Sequence, residues 1–307
     1  MATYHSGERA VQERAGLGDQ ARFSLGGIHN AVPEVAAAFL AAQPMIVIGA
    51  PDAEGRLWAT QLVGQPGFLS APEPDRLVVE TLPQPGDPLA DAMADANPRR
   101  PLRVGAIAIE PATRRRMRLN GRAVARGGRI EIDLDQVIAN CPKYIQKRQP
   151  VHRADTSPPQ DRRVTDGTAL SQGQQDTIRA ADTFFVATAS DSGDADASHR
   201  GGNPGFVDVL SPTTLRWPDY IGNAMFLTLG NLAVNPTAGL VFPGWDTGTA
   251  LHLTGTARTV WDPGTLVSFP GAQRLVEFSI DAVREITNAS PLRWSEPAFS
   301  RFNPPPR

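Results

Sequence analysis

The residues best suited to chemistry lie in one short segment, Ser198–Phe206, which reads SHRGGNPGF. Arg200 carries a planar guanidinium whose N–H groups match the oxygens of a phosphate. Glycines follow it, and without side chains they let a ligand approach the backbone closely. We therefore predict a binding site at Arg200 and Gly201. Ser198 is a further candidate binding residue, and His199 is the candidate proton donor. The alternative is a glycine-rich turn with a solvated arginine.

A second polar segment, Arg216–Leu232, joins a predicted strand to a predicted helix start. Backbone N–H groups at the start of a helix suit an anionic group, and nearby side chains can add hydrogen bonds. The candidate binding residues of this segment are Asp219, Tyr220, Asn223 and Thr228. The competing interpretation is that Asp219 and Asn223 make only turn and cap hydrogen bonds.

The elements around these segments follow one order twice. In the first half, a helix at Glu34–Ala42 precedes apolar strands at Met45–Ala50 and Leu57–Val63. In the second half, a helix at Ser171–Ala181 precedes a strand at Phe184–Ala189. Short strands at close spacing, with glycine and proline turns, predict a barrel or sandwich rather than a doubly wound nucleotide-binding fold.

Two sequence anchors also repeat in the same order. Gly64–Leu69 (GQPGFL) matches Gly202–Val207 (GNPGFV). Further on, Arg118–Ala123 (RLNGRA) matches His252–Ala257 (HLTGTA). Each anchor is weak alone, but their common order and their matched lead-in elements predict an internal duplication.

The two copies differ at the polar residues. Aligning their PGF tripeptides places Arg200 opposite Leu62 and His199 opposite Gln61. The backbone pattern is kept while the polar set occurs only in the second copy. This difference predicts one functional copy and one structural copy.

A polar stretch with two adjacent prolines separates the copies. Its composition is typical of an exposed linker. We therefore expect a first half at 1–149, a linker at 150–169 and a second half at 170–307 that carries the site.

Composition excludes several classes of protein. The 307 residues carry a net charge of −2, so we expect neither nucleic acid nor membrane as a partner. One cysteine, Cys141, permits no disulfide within the chain and argues against a zinc site, and no metal site is predicted. The sequence shows no signal peptide, and its most apolar stretch, Ala31–Ala50, is interrupted by proline and glutamate. A cytoplasmic protein is expected.

The segments SHRGGNPGF, PDYIGN, TLGNL and NPTAGLVF, followed by the LTG strand, resemble the pyridoxamine 5′-phosphate oxidase-like, FMN-binding split-barrel proteins. More narrowly, they resemble the two-half bacterial members of that family. The resemblance implies a mainly β (α+β) fold of two tandem split β-barrels with short flanking helices. It also implies a flavin where the barrels meet: FMN, or alternatively FAD or a deazaflavin. Arg200 matches the strand arginine that contacts FMN, whereas Gly222 and Asn223 depart from the family's phosphate loop.

If the barrels form an internal pseudo-dimer, the first half must supply part of the site. The run NCPKYIQKR offers Lys143 for charge, Tyr144 for stacking and Gln146 for hydrogen bonds to the flavin edge. The alternative is the basic end of a helix before the linker. The cluster at 114–116 (RRR) is interpreted as a solvated hairpin tip.

The leading hypothesis is a flavin-dependent oxidoreductase with a small-molecule substrate and an electron donor, working as a homodimer or as a pseudo-dimeric monomer. One alternative is a flavin- or haem-binding carrier or sensor without turnover. Another is a structural member whose site is empty.

Overall fold

The computed structural model of the protein describes residues 3–151 and 161–306. The helices in these residues are α1 (Ser6–Arg14), α2 (Gly18–Leu25), α3 (Glu34–Ala41), α4 (Ala90–Asp95), α5 (Gln172–Ala180), α6 (Leu227–Val234) and α7 (Pro263–Leu266). The strands of the first half are β1 (Ile28–His29), β2 (Met45–Pro51), β3 (Leu57–Val63), β4 (Leu69–Glu73), β5 (Arg76–Val79), β6 (Leu102–Glu110), β7 (Arg115–Arg126), β8 (Arg129–Ala139) and β9 (Pro150–Val151). Those of the second half are β10 (Arg163–Gly167), β11 (Thr183–Ala189), β12 (Ala195–Gly201), β13 (Asp208–Ser211), β14 (Thr214–Asp219), β15 (Thr237–Pro243), β16 (Ala250–Val260), β17 (Arg274–Thr287) and β18 (Arg293–Trp294).

The two halves build the same sheet. The strand order is β3-β2-β6-β7-β8-β5-β4 in the first half and β12-β11-β15-β16-β17-β14-β13 in the second. One further strand is added to β8 in the first sheet and to β17 in the second. The predicted mainly β fold of two tandem split barrels is therefore confirmed.

The second sequence anchor marks a β-bulge in each half. The register shifts between Asn120 and Gly121 in one sheet and between Thr254 and Gly255 in the other. A Cβ atom on Gly121 would lie 2.0 Å from the carbonyl oxygen of Asp133, and one on Gly255 would lie 1.9 Å from that of Ser279. Only glycine fits this approach of two backbones, which explains why both copies keep it.

Each barrel has its own core. In the first half, β-branched and aliphatic side chains such as Ile46, Ile48 and Leu119 are fully buried. The second core is more aromatic, with the rings of Phe184 and Trp217 packed edge-to-face at 5.1 Å. Such pairs add to the stability that their buried area provides.

A third apolar cluster joins the halves. Met45, Val47 and Ile107 of the first half pack with Phe185 and Val241 of the second, and all are fully buried. The contact is tight because a Cβ atom on the glycine at position 105 would lie 2.4 Å from the backbone of residue 196. Strand β12 is thereby held against β6 and β7, so side chains of both halves can meet at one site.

The predicted linker is partly ordered into strands. Residues 152–160 lie outside the described ones, but β9 pairs with β18 and β10 pairs with β17 over five residues. The five residues of β10 are exposed, which accounts for their polar composition. Within the described residues, no helix combines the length and the apolar character needed to cross a membrane.

Candidate functional site

A cavity of about 350 Å³ opens where the two halves meet. Residues from β7 and the 140–144 segment of the first half line it together with β12 and the 218–229 segment of the second. Of the residues predicted from sequence, ten line this cavity: Lys143, Tyr144, Ser198, His199, Arg200, Gly201, Asp219, Tyr220, Asn223 and Thr228.

Strand β12 places Ser198 and Arg200 on one face, since alternate residues of a strand point the same way. The Nη1 group of Arg200 donates to the Ser198 hydroxyl at 2.5 Å and to the His199 carbonyl at 3.1 Å. Burial lowers the pKa of Arg200 and Arg118 acts in the same direction, whereas the charges of Asp219 and Asp196 act to raise it. An anion that reaches the cavity would therefore stabilise the charged form of Arg200.

Strand β7 of the first half contributes two arginines that the sequence analysis did not assign to the site. Arg118 donates from Nη1 to both carboxylate oxygens of Asp196, at 3.1 and 3.0 Å, and from Nη2 to Ser198 at 2.7 Å. Arg116 donates from Nη1 to Nδ1 of His199 at 3.0 Å. The interpretation of 114–116 as a solvated hairpin tip is therefore wrong for Arg116, which lines the cavity.

The bond from Arg116 fixes the state of His199. Because Nδ1 accepts this hydrogen bond, the ring proton lies on Nε2. Burial and the charges of Arg116 and Arg200 hold the pKa of His199 well below 6.5. The ring is thus neutral at pH 7 and offers a single N–H donor, for which the described residues provide no acceptor.

The cavity carries more positive than negative charge. Arg118 is paired with Asp196 at 3.0 Å, and Arg274 lies 3.5 Å from Asp219. Among the described residues, no carboxylate lies within 4.0 Å of Arg116 or Arg200. The buried Nε atoms of Arg116 and Arg118 also lack acceptors there. Two unpaired guanidinium groups in a partly buried cavity call for an anionic ligand with several oxygens.

The 218–229 segment ends in a helix start that faces the cavity. Ala224 and Phe226 adopt positive φ angles of 62° and 58°, and α6 begins directly after them without a side-chain cap. Asn223 accepts a hydrogen bond from the Met225 amide, and the Thr228 hydroxyl donates to Asp196 at 3.4 Å. These two side chains therefore serve the local fold, while the free N–H groups of the first turn remain for an anion.

The 140–148 segment of the first half closes one side of the cavity. Tyr144 has a φ of 66°, its hydroxyl donates to the Ile221 carbonyl at 3.2 Å, and its ring lies 5.0 Å from that of Tyr220. Gln146 does not line the cavity. Its amide instead donates to the Gly202 carbonyl and accepts from the Ser300 amide, which ties down the C-terminal segment.

The N-terminal helices α1 and α2 brace the same loop. Gln12 donates to the Met225 carbonyl at 3.0 Å, and Ser24 donates to the Asn223 carbonyl at 2.7 Å. Leu17 and Gln20 line the cavity itself. Sequence reasoning missed these residues because their partners lie about 200 positions away.

Comparison with known protein families identifies the second half. Residues 170–293 match the family model described as pyridoxamine 5′-phosphate oxidase. The second half of the chain is a pyridoxamine 5′-phosphate oxidase-like domain. No curated protein sequence matches the chain.

The solved structures that match are shorter chains with low sequence identity to this one. An FAD-binding protein from Mycobacterium smegmatis is 15% identical, with 39% of this chain and 98% of that chain covered and a TM-score of 0.29. A general stress protein 26-related protein of the pyridoxinephosphate oxidase family from Clostridium acetobutylicum is 12% identical, with coverages of 39% and 89% and a TM-score of 0.26. An FMN-binding protein from Syntrophomonas wolfei is 8% identical, with coverages of 36% and 84% and a TM-score of 0.28.

The first half lacks the polar set of the oxidase-like domain. Leu62 occupies the position of Arg200, and it is buried in the first core. Thr60, in the position of Ser198, donates instead to Asp87. His252 of β16, in the position of Arg118, is buried and bonds to the Ala59 carbonyl. Apolar and self-paired groups therefore occupy the place that the duplication would give to a second site.

Proposed function

We propose that the protein binds FMN in this cavity and is a flavin-dependent oxidoreductase that acts on a small molecule. The observation that carries the proposal is the convergence of Arg116 and Arg200, unpaired and from different halves, beside the uncapped start of α6. Groups of this kind suit a phosphate monoester, and the domain that holds Arg200 is oxidase-like.

The residues that line the cavity fit a bound FMN. Arg200, Arg116 and the first turn of α6 would hold the phosphate. The rings of Tyr144 and Tyr220 and the bare backbone at Gly201 would border the flavin ring. FMN is favoured over FAD because a terminal phosphate carries up to two negative charges, which two unpaired arginines match.

The bound flavin would supply the redox chemistry. The chain's own residues position and shield it. Arg118 and Asp196 form a buried pair that fixes β7 against β12. Neutral His199 would offer its Nε2–H group to a ligand and does not act as a charged acid, because burial and the neighbouring arginines hold its pKa well below 6.5.

The test is a flavin titration followed by absorbance and fluorescence, on the wild type and on Arg116→Met. Removing charged hydrogen bonds to a phosphate is expected to weaken FMN binding about 10- to 100-fold, from roughly 1.5–3 kcal/mol. Arg200→Ala should weaken binding at least as much.

Arg115→Met is the matched control, since Arg115 is the neighbouring residue on β7 but is exposed and paired with Glu110. It should leave FMN affinity unchanged. A wild type that binds neither FMN, FAD nor a deazaflavin would refute the proposal. If flavin binds, its reduction by NAD(P)H and its reoxidation with candidate substrates distinguish an oxidoreductase from a flavin carrier.

A further inference from the structure

A second cleft, of about 700 Å³, lies across Asp196 from the cavity described above. Leu227 lines both spaces, and Asp196, which lines the cleft, accepts hydrogen bonds from Arg118 and Thr228 of the cavity. The cleft is bounded by α1, by β7 and β8, and by the start of β12. It is therefore also a product of the two halves coming together, but its chemistry is the opposite of that of the first cavity.

Two buried carboxylates face this cleft. Glu8 is 5% exposed and Asp196 is 3% exposed. In the described structure the Glu8 carboxylate accepts one hydrogen bond, from the amide of His5 at 2.8 Å. A carboxylate so deeply buried is destabilised unless a positive or hydrogen-bond-donating group reaches it.

Asn120 provides a separate indication of a ligand. It is 6% exposed and lines the cleft, and its Oδ1 atom has no donor among the described residues. Its Nδ2 group donates to Gln136 Oε1 at 3.3 Å and to Asp196 Oδ1 at 3.2 Å. Exchanging the two amide atoms of Asn120 would set its oxygen against the Asp196 carboxylate, which accepts from Asn120 here, so this orientation leaves Oδ1 as an unused acceptor.

Several donors around the cleft are already engaged in hydrogen bonds within the protein. Arg122 donates to Asp135 at 2.9 Å, and His5 Nε2 is 3.0 Å from Asn231 Oδ1. The hydroxyls of Ser190 and Ser192 are hydrogen-bonded to each other at 2.8 Å. The acceptors that the cleft offers to a ligand include the two buried carboxylates, while those of Asp135 and Asp194 are paired with Arg122 and Arg103.

We propose that this cleft is a binding site for a small organic cation with several N–H donors, such as a primary diamine. The ammonium groups would lie against Glu8, Asp196 and the free oxygen of Asn120. The site does not require a bound flavin, because Glu8 and Asn120 do not line the flavin cavity and Asp196 is linked to that cavity only through Arg118 and Thr228.

The experiment is isothermal titration calorimetry of the full chain at pH 8 and 150 mM salt. The probe is 1,4-diaminobutane, and 1,4-butanediol has the same length without the charge. The diamine should bind at least tenfold more tightly than the diol. Equal heats for the two compounds would overturn the proposal, because they would show that the carboxylates do not select a cation.

Three variants locate the binding. Glu8→Gln removes one charge and should weaken binding of the diamine about tenfold. Asn120→Leu should also weaken this binding. Asn30→Arg places a positive charge on an exposed residue at the rim and should have the same effect without altering the buried groups. Asp133→Asn, an exposed carboxylate outside the cleft, is the control. Affinity that changes with Asp133 but not with these three would contradict the assignment.

Discussion

The buried surroundings of Glu8 predict how strongly this residue makes the stability of the protein depend on pH. It occupies the third position of α1, where its carboxylate accepts the amide N–H of His5 in a capping box. Burial and the charge of Asp196 raise its pKa to about 7, although Arg118 and Arg9 act in the opposite direction. The substitution Glu8→Gln keeps an oxygen for the cap and removes the charge.

The direction of the pH effect on stability follows from the linkage between protonation of Glu8 and folding. A carboxyl whose folded pKa is raised favours folding when it is protonated, and its contribution is lost as the pH rises through the folded value. With a folded pKa of about 7 against an ordinary value of 4.5, the ionised carboxylate destabilises the fold by about 1 kcal/mol at pH 5.5 and about 3 kcal/mol at pH 8.5. From pH 5.5 to pH 8.5, the free energy of unfolding of Glu8→Gln should therefore rise by about 2 kcal/mol relative to that of the wild type.

The assay is urea unfolding of both proteins at pH 5.5 and pH 8.5, read as the difference between their free energies of unfolding. Other titrating groups are common to both proteins and cancel. Glu13→Gln, at an exposed position on the same helix, is the matched control. A difference between wild type and Glu8→Gln that does not change with pH would refute the reasoning. Such a result would mean that Glu8 is hydrated in the folded protein.

Two further predictions concern the contacts that shape the site. Gly7→Ala would place a Cβ atom 2.2 Å from the Gly230 carbonyl oxygen, so α1 must move off α6; we expect about 1–3 kcal/mol of destabilisation by urea unfolding. Gly173→Ala, in a helix with open space around it, is its control and should leave stability unchanged or raise it. FMN titration should saturate at one flavin per chain, because Leu62 and its neighbours fill the equivalent place in the first half; a second equivalent bound with similar affinity would contradict this.

Local sequence signals were sufficient to predict the strands and the internal duplication. Apolar β-branched runs such as 45–50 predicted buried strands, and the structure has β2 there. The glycines of the second anchor were recognisable because a β-bulge needs them in both halves. Sequence also assigned Arg200 and the 219–228 segment to one region, since both lie in the half with the polar set.

The contribution of the first half was harder to predict. Arg116 lies in a run of three arginines, which is most often a solvated turn. The spacing of Arg116 and Arg118 does place them on one face of a strand, but nothing local indicates that this face meets β12. That meeting depends on the packing between the halves, including the close approach at Gly105. Gln146 was misplaced for the same reason, because the C-terminal segment that engages it lies about 150 residues away.

The pattern of differences between the copies argues for a selected site. In a duplicated barrel, each interface site needs one strand from its own half and one from the other half. At the described cavity these strands contribute three arginines, whereas the matching positions of the other place contain none. The cavity has Arg200 with Arg116 and Arg118, and the matching positions hold Leu62 with Ala250 and His252. Independent drift of surface residues would leave mixed sets at both places. Three arginines at one place and none at the other are what retention of a single anion-binding site would produce.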